Sequence, residues 1–197
     1  MKPGRVVLAV VALAVIVALG WFVSVGNDLV AHEQAVRGAW AQVQNVYQRR
    51  ADLIPNLVET VKGFAAQERT VLEEVTRARA SVAGMQVTPE LLRDPEALRK
   101  FQEAQAQLGD ALGRLLAVVE RYPDLKSNQN FLALQSQLEG TENRIAVERR
   151  RYNEAVREYN TAVRRFPGSL VASLRSFPER PYFEATPGSQ APPPVKF

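Results

Sequence analysis

The chain has 197 residues, with 25 Lys plus Arg, 21 Asp plus Glu and a formal charge of +4. Cysteine is absent and histidine occurs once, at His32, which excludes a disulfide framework, a thiol nucleophile and a Cys- or His-rich metal site. The 46% apolar content suits a folded protein, but much of it lies in one N-terminal run.

That run, residues 6–25, reads VVLAVVALAVIVALGWFVSV and carries no charge. Twenty helical residues span about 30 Å, the thickness of a bilayer's hydrocarbon core. Trp21 and Phe22 stand near its far end, where an aromatic anchor belongs. The competing reading is a cleaved signal sequence, with Ala18-Leu-Gly20 as the processing site. The apolar run continues to Val25, longer than a usual signal core, and favours a retained anchor. Lys2 and Arg5 precede it, while Asp28 and Glu33 follow. The positive-inside bias then puts the N-terminus in the cytoplasm and the body on the other side. Lys2 and Arg5 are the only charges in residues 1–25, so the remainder carries +2. The basic balance gives no reason to expect nucleic-acid binding.

Beyond the anchor, apolar residues recur at helical spacing and no strand pattern emerges. The first segment, about residues 27–50, repeats Leu29, Val36 and Val43 every seven residues. It continues from the span with Gly26-Asn27 as the candidate break. Pro55 predicts a turn near Asp52, with Asp52 capping a new helix that runs to about Val82. Arg49 and Arg50 would then sit at the end of the preceding helix, where the dipole favours cations. Thr88-Pro89 and Asp94-Pro95 are helix starts. The third helix carries Leu98, Phe101, Leu108, Leu112, Leu115 and Val119 and stops near Tyr122-Pro123. The fourth starts at Asn128. It repeats Phe131, Leu138, Ile145, Tyr152, Tyr159 and Phe166 every seven residues and ends at Pro167-Gly168.

The expected fold is all-α: an N-terminal transmembrane helix followed by an antiparallel bundle of about four long helices. Prolines 55, 89, 95 and 123 favour folding back over an extended coiled-coil dimer. Expected boundaries are a basic terminus at 1–5, a span at 6–25, a body at 27–183 and a Pro-rich disordered tail at 184–197. Leu170, Val171, Leu174, Phe177, Tyr182 and Phe183 are apolar enough to pack on the bundle, while Pro178 and Pro181 keep that stretch from being a regular helix.

Polar residues interrupt the heptads. Arg50 follows Val43, Glu68 lies between Val61 and Val75, and Gln105 lies between Leu98 and Leu112. Glu33 precedes Trp40 by seven, and Thr141 and Glu148 flank Ile145. An Arg–Glu–Gln cluster that fixes helix register is the favoured reading. The alternative is a ligand-binding bundle with a polar core site around Glu68 and Gln105. A carboxylate-bridged metal site needs Glu-x-x-His pairs, which are absent. The arginines at 144, 149–151 and 157 interleave with Glu148, Glu154 and Glu158, the pattern of a solvated, salt-bridged face. No G-x-S-x-G, H-E-x-x-H, G-x-x-x-x-G-K-[ST] or G-x-G-x-x-G occurs. The expectation is no catalytic, metal or cofactor site.

The run Arg49-Arg50-Ala-Asp52-Leu-Ile-Pro55-Asn56-Leu-Val-Glu59-Thr-Val-Lys62-Gly63-Phe64 resembles the LemA family of bacterial membrane proteins. Trp40-Ala-Gln-Val, Tyr122-Pro-Asp-Leu-Lys126 with Asn130-Phe131, and Glu139-Gly-Thr-Glu142-Asn143-Arg144-Ile145 agree with it. So do Arg150-Arg-Tyr152-Asn153 and Tyr159-Asn160. The likeness covers about residues 27–183. Gln67 departs from it, since the family often has His there. The resemblance implies a single membrane helix, a helical body and no established enzymatic activity, with associations to membrane organisation and envelope processes. The reading that follows is a membrane-anchored scaffold contacting other membrane proteins, with homo-oligomerisation left open. Candidate contact or structural residues are Arg49, Arg50, Asp52, Pro55 and Asn56 at the joint, Glu68, and Asn143, Arg150, Tyr152 and Asn153 on the fourth helix.

Overall fold

The computed structural model describes residues 3–85 and 89–184. Helix α1 (Pro3–Phe64) is followed by α2 (Arg69–Ala83), a 3-10 turn (Pro89–Leu92), α3 (Pro95–Val119), α4 (Pro123–Lys126), α5 (Gln129–Arg164) and α6 (Gly168–Arg175). Among the described residues there is no strand. The Thr88 cap, Lys2 and the tail from residue 185 lie outside the described residues.

Two apolar clusters define the body. The one nearer the span holds Leu29, Val36, Trp40, Val43 and Tyr47 of α1 against Ile145, Tyr152, Val156, Tyr159 and Val163 of α5. The distal one holds Ile54, Leu57 and Val61 of α1 against Leu72 and Val75 of α2, Leu108–Leu115 of α3, and Phe131 and Leu138 of α5. The long helices therefore run up, down, up and down, as the heptads predict. Each large apolar side chain taken fully from water, such as Ile54 or Leu115, contributes roughly 1.5–3 kcal/mol. Asn128 starts α5 by accepting from the Asn130 and Phe131 amides, and Asp94 starts α3 by accepting from Glu96.

Helix α1 corrects two expectations. It has 62 residues, about 93 Å at 1.5 Å each, and breaks at neither Gly26-Asn27 nor Pro55. Gly26 instead admits a neighbour, since a Cβ there would collide with the Arg175 guanidinium. Pro55 has no N–H to give the Ala51 carbonyl, four residues back. Arg79 of α2 supplies the missing donor, with its Nε 3.0 Å from that carbonyl. The helix therefore passes through the proline. The chain turns ten residues later, between Phe64 and Arg69. Asp52 consequently caps nothing and accepts from Gln48 at 2.7 Å within α1.

Arg79→Ala is predicted to cost about 1–2 kcal/mol, the range for a hydrogen bond whose carbonyl is left half-buried without a partner. In a Pro55→Ala background the restored amide serves that carbonyl, and the cost of losing Arg79 shrinks. Chemical unfolding of all four variants in detergent measures the coupling. Equal costs in both backgrounds would show that the arginine does not act through the proline's vacancy.

Candidate functional site

The apolar run of α1 meets nothing in the fold. Leu8, Leu13, Ile16 and Leu19 are all more than half exposed, and this is a helix long and apolar enough to cross a membrane. Its far end is different: Phe22 and Val25 pack against the proximal core. The candidate span is thus continuous, as one helix, with the core helix of the body.

Between the two apolar clusters lies a polar layer. Arg50 is 3% exposed and Gln105 5%. Arg50 donates through Nη2 to the Gln105 side-chain oxygen and, at 3.2 Å, to the Gln105 backbone carbonyl. Its Nη1 reaches Glu142 Oε1 at 2.7 Å, and its guanidinium stands 5.3 Å from the Tyr47 ring centroid. Burial pushes the Tyr47 hydroxyl's pKa up, and the nearby Arg149 and Arg50 charges oppose that. Arg50 Nε and Gln105 Nε2 have no partner, so the layer is incompletely satisfied and holds its place at some cost. Arg50 therefore belongs to mid-bundle, not to a helix end, while Arg49, Pro55 and Asn56 face solvent.

Glu68 is not in this layer, which corrects the proposed Glu68–Gln105 site. The heptad from Ile54 to Val75 runs across the corner between α1 and α2, so Glu68 falls at the distal end. There it accepts from Arg121 Nη2 and from the Tyr122 hydroxyl, both at 2.9 Å, and Tyr122 accepts from Gln67. The bond to Glu68, with burial, raises the Tyr122 pKa. About 16 helical residues of α3 separate this corner from Gln105, roughly 24 Å. Glu142 supplies the carboxylate of the layer instead. It sits beside Thr141, the interruption that periodicity does flag.

Tyr152 and Asn153 are committed inward. After α6 the chain returns along α5 as an extended strap, residues 177–184. Asn153 and Asn160 each act as a surrogate strand. Asn153 donates to the Phe183 carbonyl at 3.0 Å and accepts from the Phe183 amide at 2.9 Å. Asn160 does the same with Arg180, both bonds at 2.9 Å. The Tyr152 and Tyr159 hydroxyls donate to the carbonyls of Pro181 and Pro178, at 3.0 and 2.8 Å. The spacings explain the match. Seven helical residues rise about 10.5 Å, and three extended residues cover about 10 Å. The Tyr-Asn pairs repeat every seven and Pro178, Pro181 and Arg180, Phe183 every three. The two prolines occupy positions where only the carbonyl is used, so their missing amides cost nothing. Burial raises the pKa of both tyrosines.

The strap carries Arg180, a residue that sequence reasoning missed. It is 4% exposed and its Nη2 donates to Glu33 of α1, itself 9% exposed. It also lies 5.7 Å from the Tyr159 ring centroid. Phe183 stacks on Trp40 and meets Tyr152 edge-on. The polar side chain seven before Trp40 is thus explained by a partner 147 residues away. On the outer face of α5, Asn143 and Arg150 are exposed. Among the described residues, no cluster of three or more His, Asp or Glu could hold a metal ion.

Comparison with known proteins finds relatives by sequence. The Magnetosome protein MamQ of Magnetospirillum gryphiswaldense is 26% identical over 206 residues, covering 96% of this chain and 76% of its own. MamQ 1 of Paramagnetospirillum magneticum shows the same identity and coverage. Protein LemA of Metamycoplasma hominis is 23% identical over 158 residues, covering 79% of this chain and 68% of its own. The LemA family model matches residues 39–197, which takes in the polar layer and the strap. With that match over most of its length, the chain belongs to the LemA family.

Proposed function

We propose that the protein is a non-catalytic, membrane-anchored scaffold whose helical body meets other membrane proteins at a fixed height above the bilayer. The observation that carries this is the continuity of α1. The rod that crosses the candidate span is also the core helix of both apolar clusters. A body joined in this way cannot pivot freely, and its surface is concentrated at the membrane, where weak contacts gain effective concentration. The N-terminus is cytoplasmic and the body extracytoplasmic, on the positive-inside bias of Lys2 and Arg5. The LemA and MamQ relatives support a membrane-associated helical protein of the LemA type.

A photo-crosslinking residue at Asn143 or Arg150, both exposed and outside the internal networks, is predicted to give discrete adducts with other membrane proteins in native membranes. Adducts of the chain with itself alone, or none, would overturn the scaffold reading. A reporter fused after Phe197 tests the orientation, and activity confined to the cytoplasm would reverse it.

A further inference from the structure

The corner between α5 and α6 exposes apolar side chains that the fold does not use. Phe166 is 76% exposed, Leu170 51% and Leu174 68%. Leu170 and Leu174 share a face of α6, while Val171 and Ala172, which are buried, seat the helix on the body. At 100° per residue the two faces point about 130° apart. A helix with one apolar face in the core and another bare is amphipathic toward a second apolar phase.

Its position says what that phase is. Gly168 has no side chain because a Cβ would strike the Ala162 carbonyl, and the close turn lays α6 against Leu29. The Arg175 guanidinium and Val171 lie against Gly26. Helix α6 therefore crosses α1 one to four residues beyond Val25, about 1.5–6 Å past the end of the apolar run. The headgroup layer on each side of the hydrocarbon is about 5–8 Å deep. The Phe166 ring stands 6.2 Å from the ring of Trp21, inside the apolar run itself.

We infer that Phe166, Leu170 and Leu174 dock into the headgroup–acyl boundary of the bilayer that α1 crosses, making the α5–α6 corner a second, interfacial membrane contact. The inference rests on the anchoring reading above. The exposed Arg165 flanks the corner and can extend to lipid phosphates while its stem stays on apolar surface, whereas the Arg175 guanidinium is held against Gly26 and over the Phe177 ring. With a span and a lateral foot, the body's tilt and rotation about α1 are both fixed.

The chain has no native cysteine, so single-cysteine spin labels report cleanly on the full protein in liposomes. Leu170→Cys and Leu174→Cys replace exposed side chains and leave the core intact. Ala18→Cys marks the span and Leu132→Cys the distal end. The expected result is that labels at 170 and 174 collide with lipid-soluble oxygen far more than with an aqueous nickel reagent. Their depth should be about 5–10 Å below the headgroup boundary, as for an interfacial helix. Water-like values equal to the label at 132, with 18 in lipid, would overturn the docking and leave the anchor standing. Shielding from both reagents would mean that protein covers the face, which also overturns it. A label at 18 that is open to nickel would remove the anchoring reading and this inference with it.

Discussion

Glu33→Leu is expected to destabilise the full chain by about 3–5 kcal/mol, the cost of leaving one member of a buried ion pair without its counter-charge. Arg180 loses its carboxylate while keeping a buried guanidinium, one of whose terminal nitrogens already has no partner. What remains is the Tyr159 ring, a weak substitute. The double variant Glu33→Leu/Arg180→Met removes both charges and puts apolar volume in their place. It is expected to recover most of the loss, because the Asn160 bonds to residue 180 use only its main chain. Arg180→Met alone should cost less than Glu33→Leu, since Glu33 retains Arg37 at 3.3 Å near the surface. Urea unfolding in a non-ionic detergent gives the stabilities. Amide exchange at residues 178–184 shows whether the strap lifts before the body unfolds. If the single costs simply add in the double variant, the pair is not acting as a unit.

The features that were legible in the sequence are those whose cause is local. The heptad from Phe131 to Tyr159, the Asp94 cap, the start at Asn128 and the Pro123 stop follow from side chain and backbone within a few residues. Their positions in the structure agree with the periodicity, whereas the last expected member of that heptad, Phe166, falls beyond the end of α5 and is 76% exposed. The heptad also exposed Arg50 and Gln105 as misfits, and the structure brings those two together. What failed depended on distant partners. Pro55 looks like a break because its penalty is local, and it is not one because Arg79, on another helix, bonds the vacated carbonyl. The real corner at Ala65–Gln67 contains no proline. It is tied from outside by Tyr122 and Arg121. Extending one heptad across that corner is what put Glu68 beside Gln105 on paper. Helix α6 and the strap were legible only in part. Val171, Phe177 and Phe183 pack on the body as expected and the prolines keep the strap from being helical, but Leu170, Leu174 and Tyr182 stay exposed and the pairing with α5 was missed. Its signal was present as a seven-residue repeat of Tyr-Asn and a three-residue repeat around Pro178 and Pro181. Neither spacing means anything until the two segments are laid side by side.

The polar layer makes the second large prediction, and it separates stability from specificity. Gln105→Leu alone should cost about 1.5–3 kcal/mol, because the buried Arg50 loses a charge-assisted bond and gains no other. Arg50→Leu/Gln105→Leu joins the two apolar clusters into one. It is expected to match or exceed the wild type in stability, as replacements of buried ionic groups by apolar ones often do. The loss should appear elsewhere. Helices α1 and α5 both repeat their apolar side chains every seven residues. A continuous apolar seam lets them slide by one heptad, about 10.5 Å, with similar packing. Arg50 forbids that slide, since a shifted α5 moves Glu142 away from it. Spin labels at Ala41→Cys and Ala146→Cys, both exposed, should give one narrow distance in the wild-type background. In the double-leucine variant they should give a broadened or split distribution. A single unchanged distance there would mean that the strap and the α1–α2 corner already determine the register. The layer would then be a burden that the fold carries without structural return.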